Sequence, residues 1–262
     1  MSLDATISKA SVLIEALPYL QSFRGHTFLI KMGGAAMEDP ALVRKVMRDI
    51  VFLEVAGINP VIVHGGGKAI SAAMQEAGLE AQFIGGFRVT TPEAIDIVEK
   101  TLTGTINPGL VEMISEFGGK CCGSRGTEIF TGRRIQATNE DGEKTDIGRV
   151  GEAIDCQLDA IQAAINAETV PVISPLASEK NSGKPLNVNA DLAAACLAKA
   201  LKATKLVYLS DVPGILSDPS DPTTLIPSIN RPEAAELITN GTNSGGTLPK
   251  TCPLNTSPNP RD

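Results

Sequence analysis

The segment NPVIVHGGGKAISAAMQEAG, residues 59–78, decides the fold, because it joins an apolar run to a helical pattern through three consecutive glycines. The run NPVIV is typical of a strand buried on both faces, and the apolar spacing after Lys68 predicts a helix. The same order occurs upstream, where TFLIKMGG, residues 27–34, precedes a helical pattern over residues 39–57. Two strand–turn–helix units in succession predict a mostly parallel sheet covered by helices.

Both glycine turns are candidates for anion binding. A helix that begins after a glycine turn presents free backbone N–H groups, and the absence of a Cβ lets a phosphate or carboxylate approach them. The second turn does not match a phosphate-binding loop, because Ile62 occupies the first glycine position and Ala69 follows Lys68. It does not match the dinucleotide fingerprint either, because Ile70 stands at the last glycine position. Taken alone, the glycines fit a tight strand–helix connection equally well.

The rest of the chain continues the alternation of strands and helices. One long helical stretch begins near Pro92, and Gly104 and Pro108 are expected to interrupt it. Residues 131–154 are rich in Gly, Thr and charge, which favours short β-hairpins. The remaining patterns predict a strand-like stretch over 119–126, a helix over 156–168, a buried strand over 169–177, a loop feeding a helix over 187–204, a strand and turn over 205–216 and a short helix over 231–241.

Composition narrows the class of protein. The chain has 262 residues and no Trp, so it should bury an aliphatic core. Its net charge of -7 argues against the binding of nucleic acid, which usually needs a basic surface. Five cysteines without a metal-binding spacing favour a reduced, cytoplasmic protein. Neither a signal peptide nor a membrane-spanning segment is evident. Cys121 and Cys122 are interpreted as small buried apolar residues.

Three charged side chains are candidates for catalysis. Lys31 lies within FLIKMGG, where a buried ammonium is costly without a partner. Lys250 in SGGTLPK could join Lys31 at a transferring phosphoryl group, and Asp191 in NVNAD, residues 187–191, could hold both ammonium groups. Two ordinary lysines and a set of helix-capping residues are the alternative, which the pattern around Lys250 alone would favour. We interpret His64 as a structural imidazole.

Six motifs occur together in one order: KMGG, HGGG, GFRVT, NVNAD, SDVPGIL and GGTLPK. In this order they resemble the N-acetylglutamate kinase family of the amino-acid kinase fold, over about residues 10–250. The resemblance implies a three-layer α/β/α sandwich with a mostly parallel central sheet. It also implies a transferase that phosphorylates N-acetyl-L-glutamate to N-acetyl-L-glutamyl 5-phosphate in L-arginine biosynthesis, with ATP and Mg²⁺ as co-substrate, no protein-bound metal and no tightly bound cofactor.

The resemblance also assigns roles to residues. Lys31 and Lys250 would stabilise the transferring phosphoryl group, and Asp191 would organise the two lysines. The acceptor is a carboxylate with a pKa near 4, so it is already a nucleophile at neutral pH and needs no general base. The implied acetylglutamate-binding residues are Gly66, Gly67, Arg88 and Asn187, and the implied nucleotide-binding residues are Gly33, Gly34, Ser210, Asp211, Gly214, Leu216 and Asn243.

Domain organisation follows from the same resemblance. Residues 1–250 would form a single domain, with an acetylglutamate-binding and dimerising lobe over about 25–180 and a nucleotide-binding lobe over about 181–250. Residues 1–24 resemble the helix that assembles arginine-inhibited members into hexamers, so we expect at least a homodimer and consider arginine as an effector. Residues 251–262 contain three prolines and should be irregular, as in an altered or truncated C-terminus.

Two other functions stay open at this stage. Another amino-acid kinase, for carbamate or aspartate, would share most of these motifs, although GFRVT and NVNAD favour acetylglutamate. A non-catalytic chain, inactivated by the unusual C-terminus, is the second alternative. Pro108, where the family commonly has a lysine, leaves the role of that position in doubt.

Overall fold

The computed structural model describes residues 3–139, 141–210, 214–218, 220–230, 232, 233 and 236. The described helices are α1 (Leu3–Phe23), α2 (Pro40–Val55), α3 (Gly67–Glu76), α4 (Pro92–Glu99), α5 (Asn107–Glu116), α6 (Gly126–Ile129), α7 (Asp159–Asn166) and α8 (Ala190–Leu201). The described strands are β1 (Thr27–Met32), β2 (Asn59–His64), β3 (Phe83–Ile84), β4 (Phe87–Arg88), β5 (Cys121–Ser124), β6 (Phe130–Thr138), β7 (Lys144–Cys156), β8 (Val170–Ile173), β9 (Leu176–Glu179), β10 (Pro185–Val188) and β11 (Lys205–Leu209).

In the described part of the chain, a five-stranded parallel sheet forms the centre of the fold. Its strand order is β11–β1–β2–β8–β5, and each neighbouring pair runs parallel. This arrangement confirms the parallel sheet that the two strand–turn–helix units predict. Because the strands are parallel, their carboxyl ends and the turns that follow them share one edge of the sheet.

Helices cover both faces of this sheet and make it the middle of three layers. On one face α2 and α5 pack through an apolar cluster that includes Ile30 and Met32 of β1. On the other face α7 and α8 pack through a cluster that includes Leu29 of the same strand. Side chains alternate along a strand, so Lys31 points to the same face as Leu29, toward α8.

The predicted buried strand over residues 169–177 is two strands rather than one. The chain leaves the central sheet after β8 and enters β9, which belongs to a small closed barrel of β10, β7, β6 and β9. Ser174 and Pro175 separate the two strands, and Pro175 has no N–H with which to continue the first ladder. The predicted hairpins over 131–154 are one long hairpin, β6–β7, with two register shifts.

The predicted interruptions at Gly104 and Pro108 do not occur. Residues 92–116 are helical throughout, and the join between α4 and α5 is a π-helical segment, Lys100–Ile106. Pro108 cannot donate a hydrogen bond to the preceding helical turn, and the π-helical segment that ends just before it is where the α-helical hydrogen-bond pattern is replaced, so the helix continues through this residue.

Helix α1 carries many apolar side chains on an exposed surface. Val12, Leu13, Ile14 and Tyr19 are each more than 60% exposed, and Pro18 lies inside the helix. No helix in the described part of the chain combines the length and the apolar character needed to cross a membrane. Most of the predicted helix over 231–241, and the whole of the tail over 251–262, lie outside the described residues.

We predict that Gly126→Ala destabilises the fold by about 3 kcal/mol or more, because a Cβ at this position would lie 2.0 Å from Ser174 O and 2.3 Å from Leu176 O. Gly109→Ala is the matched control, because a Cβ there meets nothing within 4 Å. It should be neutral or stabilising by up to about 1 kcal/mol, since Ala is the better helix former. Urea unfolding of both variants measures the difference, and equal stabilities would contradict the packing described.

Candidate active site

The two glycine turns meet at the carboxyl edge of the sheet. Gly65 N donates a hydrogen bond to Met32 O at 2.6 Å, which ties the end of β2 to the end of β1. A Cβ on Gly65 would lie 3.4 Å from Gly33 Cα, so the two turns are in contact backbone to backbone. The glycines at these positions therefore let two loops and the side chains around them occupy one small region.

Lys31 and Asp191 form a buried ion pair beside these turns. Lys31 Nζ lies 2.8 Å from Asp191 Oδ1, and the two side chains are 10% and 9% exposed. Asp191 lies in the first turn of α8, which Asn189 caps by accepting hydrogen bonds from the amides of Asp191 and Leu192. The alternation along β1 brings the lysine to this helix, and the cap fixes where the helix begins.

The Asp191 carboxylate has accepting capacity beyond this ion pair. Apart from the Lys31 ammonium at 2.8 Å, no donor reaches Oδ1 among the described residues, and a carboxylate oxygen can accept more than one hydrogen bond. A Cβ on Gly33 would lie 2.3 Å from Lys31 Nζ, so the glycine provides the space that the ammonium occupies. The carboxylate is thus held beside one cation with an acceptor atom still available.

Tyr208 is part of this arrangement, and the sequence analysis missed it. Its Cα is paired with that of Lys31 across β11 and β1, and its hydroxyl donates to Asp191 O at 3.3 Å. Burial, together with the nearby Asp191 charge, raises the pKa of Tyr208 above its ordinary value, so the hydroxyl stays protonated and remains a donor. The only signal in the sequence was one polar aromatic residue within the apolar run KLVYL.

Arg88 is a buried cation that no acidic side chain neutralises in the described part of the chain. Its Nη2 donates to Gly67 O at 2.7 Å and to Ser71 Oγ at 2.8 Å, and its guanidinium lies 4.6 Å from the centre of the Phe83 ring. Burial lowers the pKa of Arg88. A carboxylate bound beside it would supply the missing negative charge.

Asn187 links the barrel to this region. Its Nδ2 donates to Thr90 Oγ1 at 3.1 Å, and the Thr90 hydroxyl donates to Arg88 O at 2.9 Å. A cavity of about 220 Å³ lies between these groups. The sequence-predicted residues that line it are Lys31, Gly33, Gly34, Gly66, Gly67, Arg88, Asn187 and Asp191.

The N-terminus of α3 faces the same cavity. A Cβ on Gly66 would lie 2.5 Å from Ile106 Cδ1 and 2.8 Å from Leu102 Cδ2, so the π-helical segment packs directly against this turn. A Cβ on Gly67 would meet nothing within 4 Å. Gly66 therefore permits the π-helical segment to pack against the turn. Gly67 leaves open space at the N-terminus of α3, where backbone N–H groups favour an anion.

His64 and Asn107 support the turn from behind. His64 Nδ1 lies 2.9 Å from Gly65 O, which can only accept, so this nitrogen carries the proton. Asn107 Nδ2 donates to His64 Nε2 at 3.2 Å and to Val172 O at 2.8 Å. The hydrogen bonds agree with the structural imidazole that we predicted. Asn107 was not recognised in the sequence, because its partners are 43 and 65 residues away.

The remaining predicted residues are not brought to this cavity by the described structure. Ser210 directly follows β11, at the same edge of the sheet as the glycine turns. Gly214 and Leu216 lie in the loop after it, where Leu216 pairs with Leu225. Lys250, Asp211 and Asn243 lie outside the described residues. Among the described residues, no three His, Cys, Asp or Glu side chains are grouped as metal ligands.

A parallel sheet with two glycine turns, a buried ammonium and a buried guanidinium around one cavity defines an α/β protein built to bind small anions. The chain belongs to the amino acid kinase family, whose model matches residues 26–252. It is 63% identical over 244 residues to the acetylglutamate kinase of Akkermansia muciniphila, covering 93% of this chain and 82% of that protein. The acetylglutamate kinase of Thermoanaerobacter pseudethanolicus is 45% identical, with 93% and 80% covered.

The fold also matches solved structures. The N-acetylglutamate synthase from Neisseria gonorrhoeae, complexed with coenzyme A and N-acetyl-glutamate, superposes with a TM-score of 0.79 at 24% identity. That likeness covers 94% of this chain and 55% of the synthase chain. It agrees with the three-layer architecture.

The burial of His64 predicts a pH-dependent stability. Burial lowers the pKa of His64 from 6.5 to about 4, against a smaller opposing effect of its hydrogen bond to Gly65. As the pH falls below 6.5, His64 takes up a proton in the unfolded chain but stays neutral in the folded chain. The free energy of unfolding therefore decreases until about pH 4, where folded His64 also takes up a proton. We expect His64→Asn to reduce the loss of stability between pH 7 and pH 5 by about 2 kcal/mol. Urea unfolding at both pH values measures it, and identical losses in variant and wild type would contradict it.

Proposed function

We propose that this chain catalyses the ATP-dependent phosphorylation of N-acetyl-L-glutamate to N-acetyl-L-glutamyl 5-phosphate, in L-arginine biosynthesis. The observation that carries the proposal is the buried Lys31–Asp191 pair in the same cavity as the uncompensated guanidinium of Arg88. The 63% identity to a protein named acetylglutamate kinase supports the same substrate. Acetylglutamate-dependent release of ADP by the purified chain tests it, and a chain that binds both substrates without turnover would be the non-catalytic alternative.

Acetylglutamate has two carboxylates, and the cavity offers a separate partner for each. Arg88 pairs with the non-reacting α-carboxylate, because its buried charge has no acidic partner among the described residues. The hydrogen bonds from its Nη2 to Gly67 O and Ser71 Oγ hold the guanidinium beside the glycine turn. Asn187 binds the same substrate from the barrel side. The N–H groups of Gly66 and Gly67 bind the reacting end, where negative charge accumulates.

In this proposal the protein catalyses phosphoryl transfer by positioning the two substrates and by stabilising negative charge. The acceptor carboxylate is ionised at neutral pH and attacks without a general base. Lys31 stabilises the negative charge on the transferring phosphoryl group, and Asp191 holds its ammonium in place. Lys250 supplies a second ammonium, and the Asp191 carboxylate has lone pairs left to accept from it beside Lys31.

ATP enters from the edge of the sheet where β1 and β11 end. Gly33 and Gly34 bind its phosphates at the first turn, and Ser210, Asp211, Gly214, Leu216 and Asn243 surround the rest of the nucleotide. Mg²⁺ would arrive with ATP as part of the co-substrate and would neutralise part of the charge on its phosphates. In this arrangement residues of about 25–180 supply most of the acetylglutamate contacts and residues of about 181–250 most of the nucleotide contacts, while Asn187 and the Gly33–Gly34 turn each serve the other substrate.

Lys31→Met should lower kcat by about 100-fold, because it removes a charge that stabilises the transition state and keeps most of the side-chain volume. Lys250→Met should do the same if the second ammonium also acts on the phosphoryl group. Lys45→Met, at an exposed position of α2, is the control and should leave kcat unchanged. Steady-state ADP release measures all three, and a lysine whose variant keeps the wild-type kcat has no part in catalysis.

Arg88→Lys should raise KM for acetylglutamate about 10-fold or more and leave kcat within a few-fold of wild type. The change keeps the positive charge but removes the forked donor that a carboxylate binds. Arg44→Lys, at an exposed site on α2, should change neither constant. A variant that lowers kcat at an unchanged KM would place Arg88 at the reacting end instead. A substrate panel with carbamate and aspartate tests the alternative acceptors.

We expect a homodimer or a homohexamer assembled through α1. Helix α1 exposes more large apolar side chains than the surface helix of a monomer usually does, and packing against a second copy would remove them from water. Size-exclusion chromatography with light scattering should show an assembly larger than the monomer, and Leu13→Glu with Leu17→Glu should reduce its size. A monomeric wild type would contradict this proposal. Arginine, as an effector of such assemblies, is tested by adding it to the same assay.

A further inference from the structure

Two cysteines that are distant in sequence meet at the junction of β7 and α8. Cys156 is the last residue of β7, Cys196 lies in α8, and their Sγ atoms are 3.5 Å apart. Both side chains are partly exposed. They line an open surface cleft of about 520 Å³, together with Asp155 and Lys199. A small molecule from solvent can therefore reach both sulfur atoms.

The two thiols are not equivalent. The hydrogen bond between the two thiols, in which either sulfur can donate, lowers the pKa of Cys196, and the Lys199 ammonium acts in the same direction, while burial and Asp155 oppose it. The same contact, with burial and the Asp155 carboxylate, raises the pKa of Cys156. Cys196 lies one helical turn from Lys199, whereas Cys156 directly follows Asp155, so we assign Cys196 as the attacking thiol and Cys156 as the resolving thiol.

We propose that Cys156 and Cys196 form a reversible redox site that exchanges with low-molecular-weight disulfides. The Cys196 thiolate attacks one sulfur of the small disulfide, the S–S bond breaks, and one small thiolate leaves and takes up a proton. Cys156 then loses its proton to solvent and attacks Cys196 Sγ, which releases the second small thiol. Two protein thiols are oxidised to one disulfide, and one small disulfide is reduced to two thiols.

The positions of the two residues make the exchange feasible. A disulfide needs a separation of about 2.05 Å, so the sulfur atoms must approach by about 1.5 Å, which a side-chain rotation within a partly open cleft can supply. The bond would attach the barrel strand β7 to α8, the helix whose first turn carries Asp191. Cys121 and Cys122 provide a contrast, because neighbours in one strand point to opposite faces.

The test uses the full chain, treated with excess oxidised glutathione and then alkylated under native conditions. Trypsin should yield a linked pair of peptides, residues 150–180 and 181–199, which dithiothreitol separates. The bond closes a loop of 40 residues in sequence, so the oxidised chain should have a Tm about 5 °C or more above that of the reduced chain. Cys122→Ala is the control and should keep both the linked peptides and the shift.

Cys156→Ala and Cys196→Ala should each abolish the linked peptides and the Tm shift, and both replace a partly exposed side chain with a small one that the fold tolerates. Cys156→Ala should still form a mixed disulfide with glutathione at Cys196. Absence of the linked peptides in the folded wild type, or their appearance only after denaturation, would overturn the proposal. A stable glutathione adduct at Cys196 in the wild type would also overturn it, because Cys156 would then fail to resolve it.

Discussion

The buried pair of Lys31 and Asp191 is the interaction on which the rest of the site depends. Removing two charges from water is costly, and a buried ion pair seldom repays that cost in stability alone. Here the carboxylate contacts the Lys31 ammonium and keeps further lone pairs, with no other donor at Oδ1 among the described residues. A second positive group would complete this arrangement, as the role proposed for Lys250 requires.

The glycines follow from this pair. Gly33 has no side chain because the Lys31 ammonium occupies the position where a Cβ would be, and Gly66 has none because Ile106 packs there. The turns are thus shaped from both sides: by an ammonium in front and by the π-helical segment behind. The glycines that follow β1 and β2 leave the space that the ion pair, the π-helical segment and a ligand require at one edge of the sheet.

Local patterns predicted the parallel sheet, the glycine turns and the motif NVNAD, because these signals depend on residues adjacent in sequence. The closed barrel, the π-helical segment and the contacts of Tyr208 and Asn107 depend on strands and helices that meet only in three dimensions. The pairing of β6 with β9, for example, joins residues 130–132 to residues 177–179, which are far apart in the sequence. No periodicity in the sequence encodes that choice of partner.

The attraction between this chain and an anionic ligand must come from charges close to the binding site. The chain carries a net charge of -7, so its overall field repels acetylglutamate and ATP, although salt screens that field beyond about 8 Å. Among the described residues that line the cavity, the charged side chains are two cations, Lys31 and Arg88, and one anion, Asp191. The low dielectric of a buried site strengthens this local excess of positive charge. Selectivity for a dianionic acceptor would therefore rest on Arg88 at its non-reacting carboxylate, while Lys31, which Asp191 holds in place, would act on the transferring phosphoryl group.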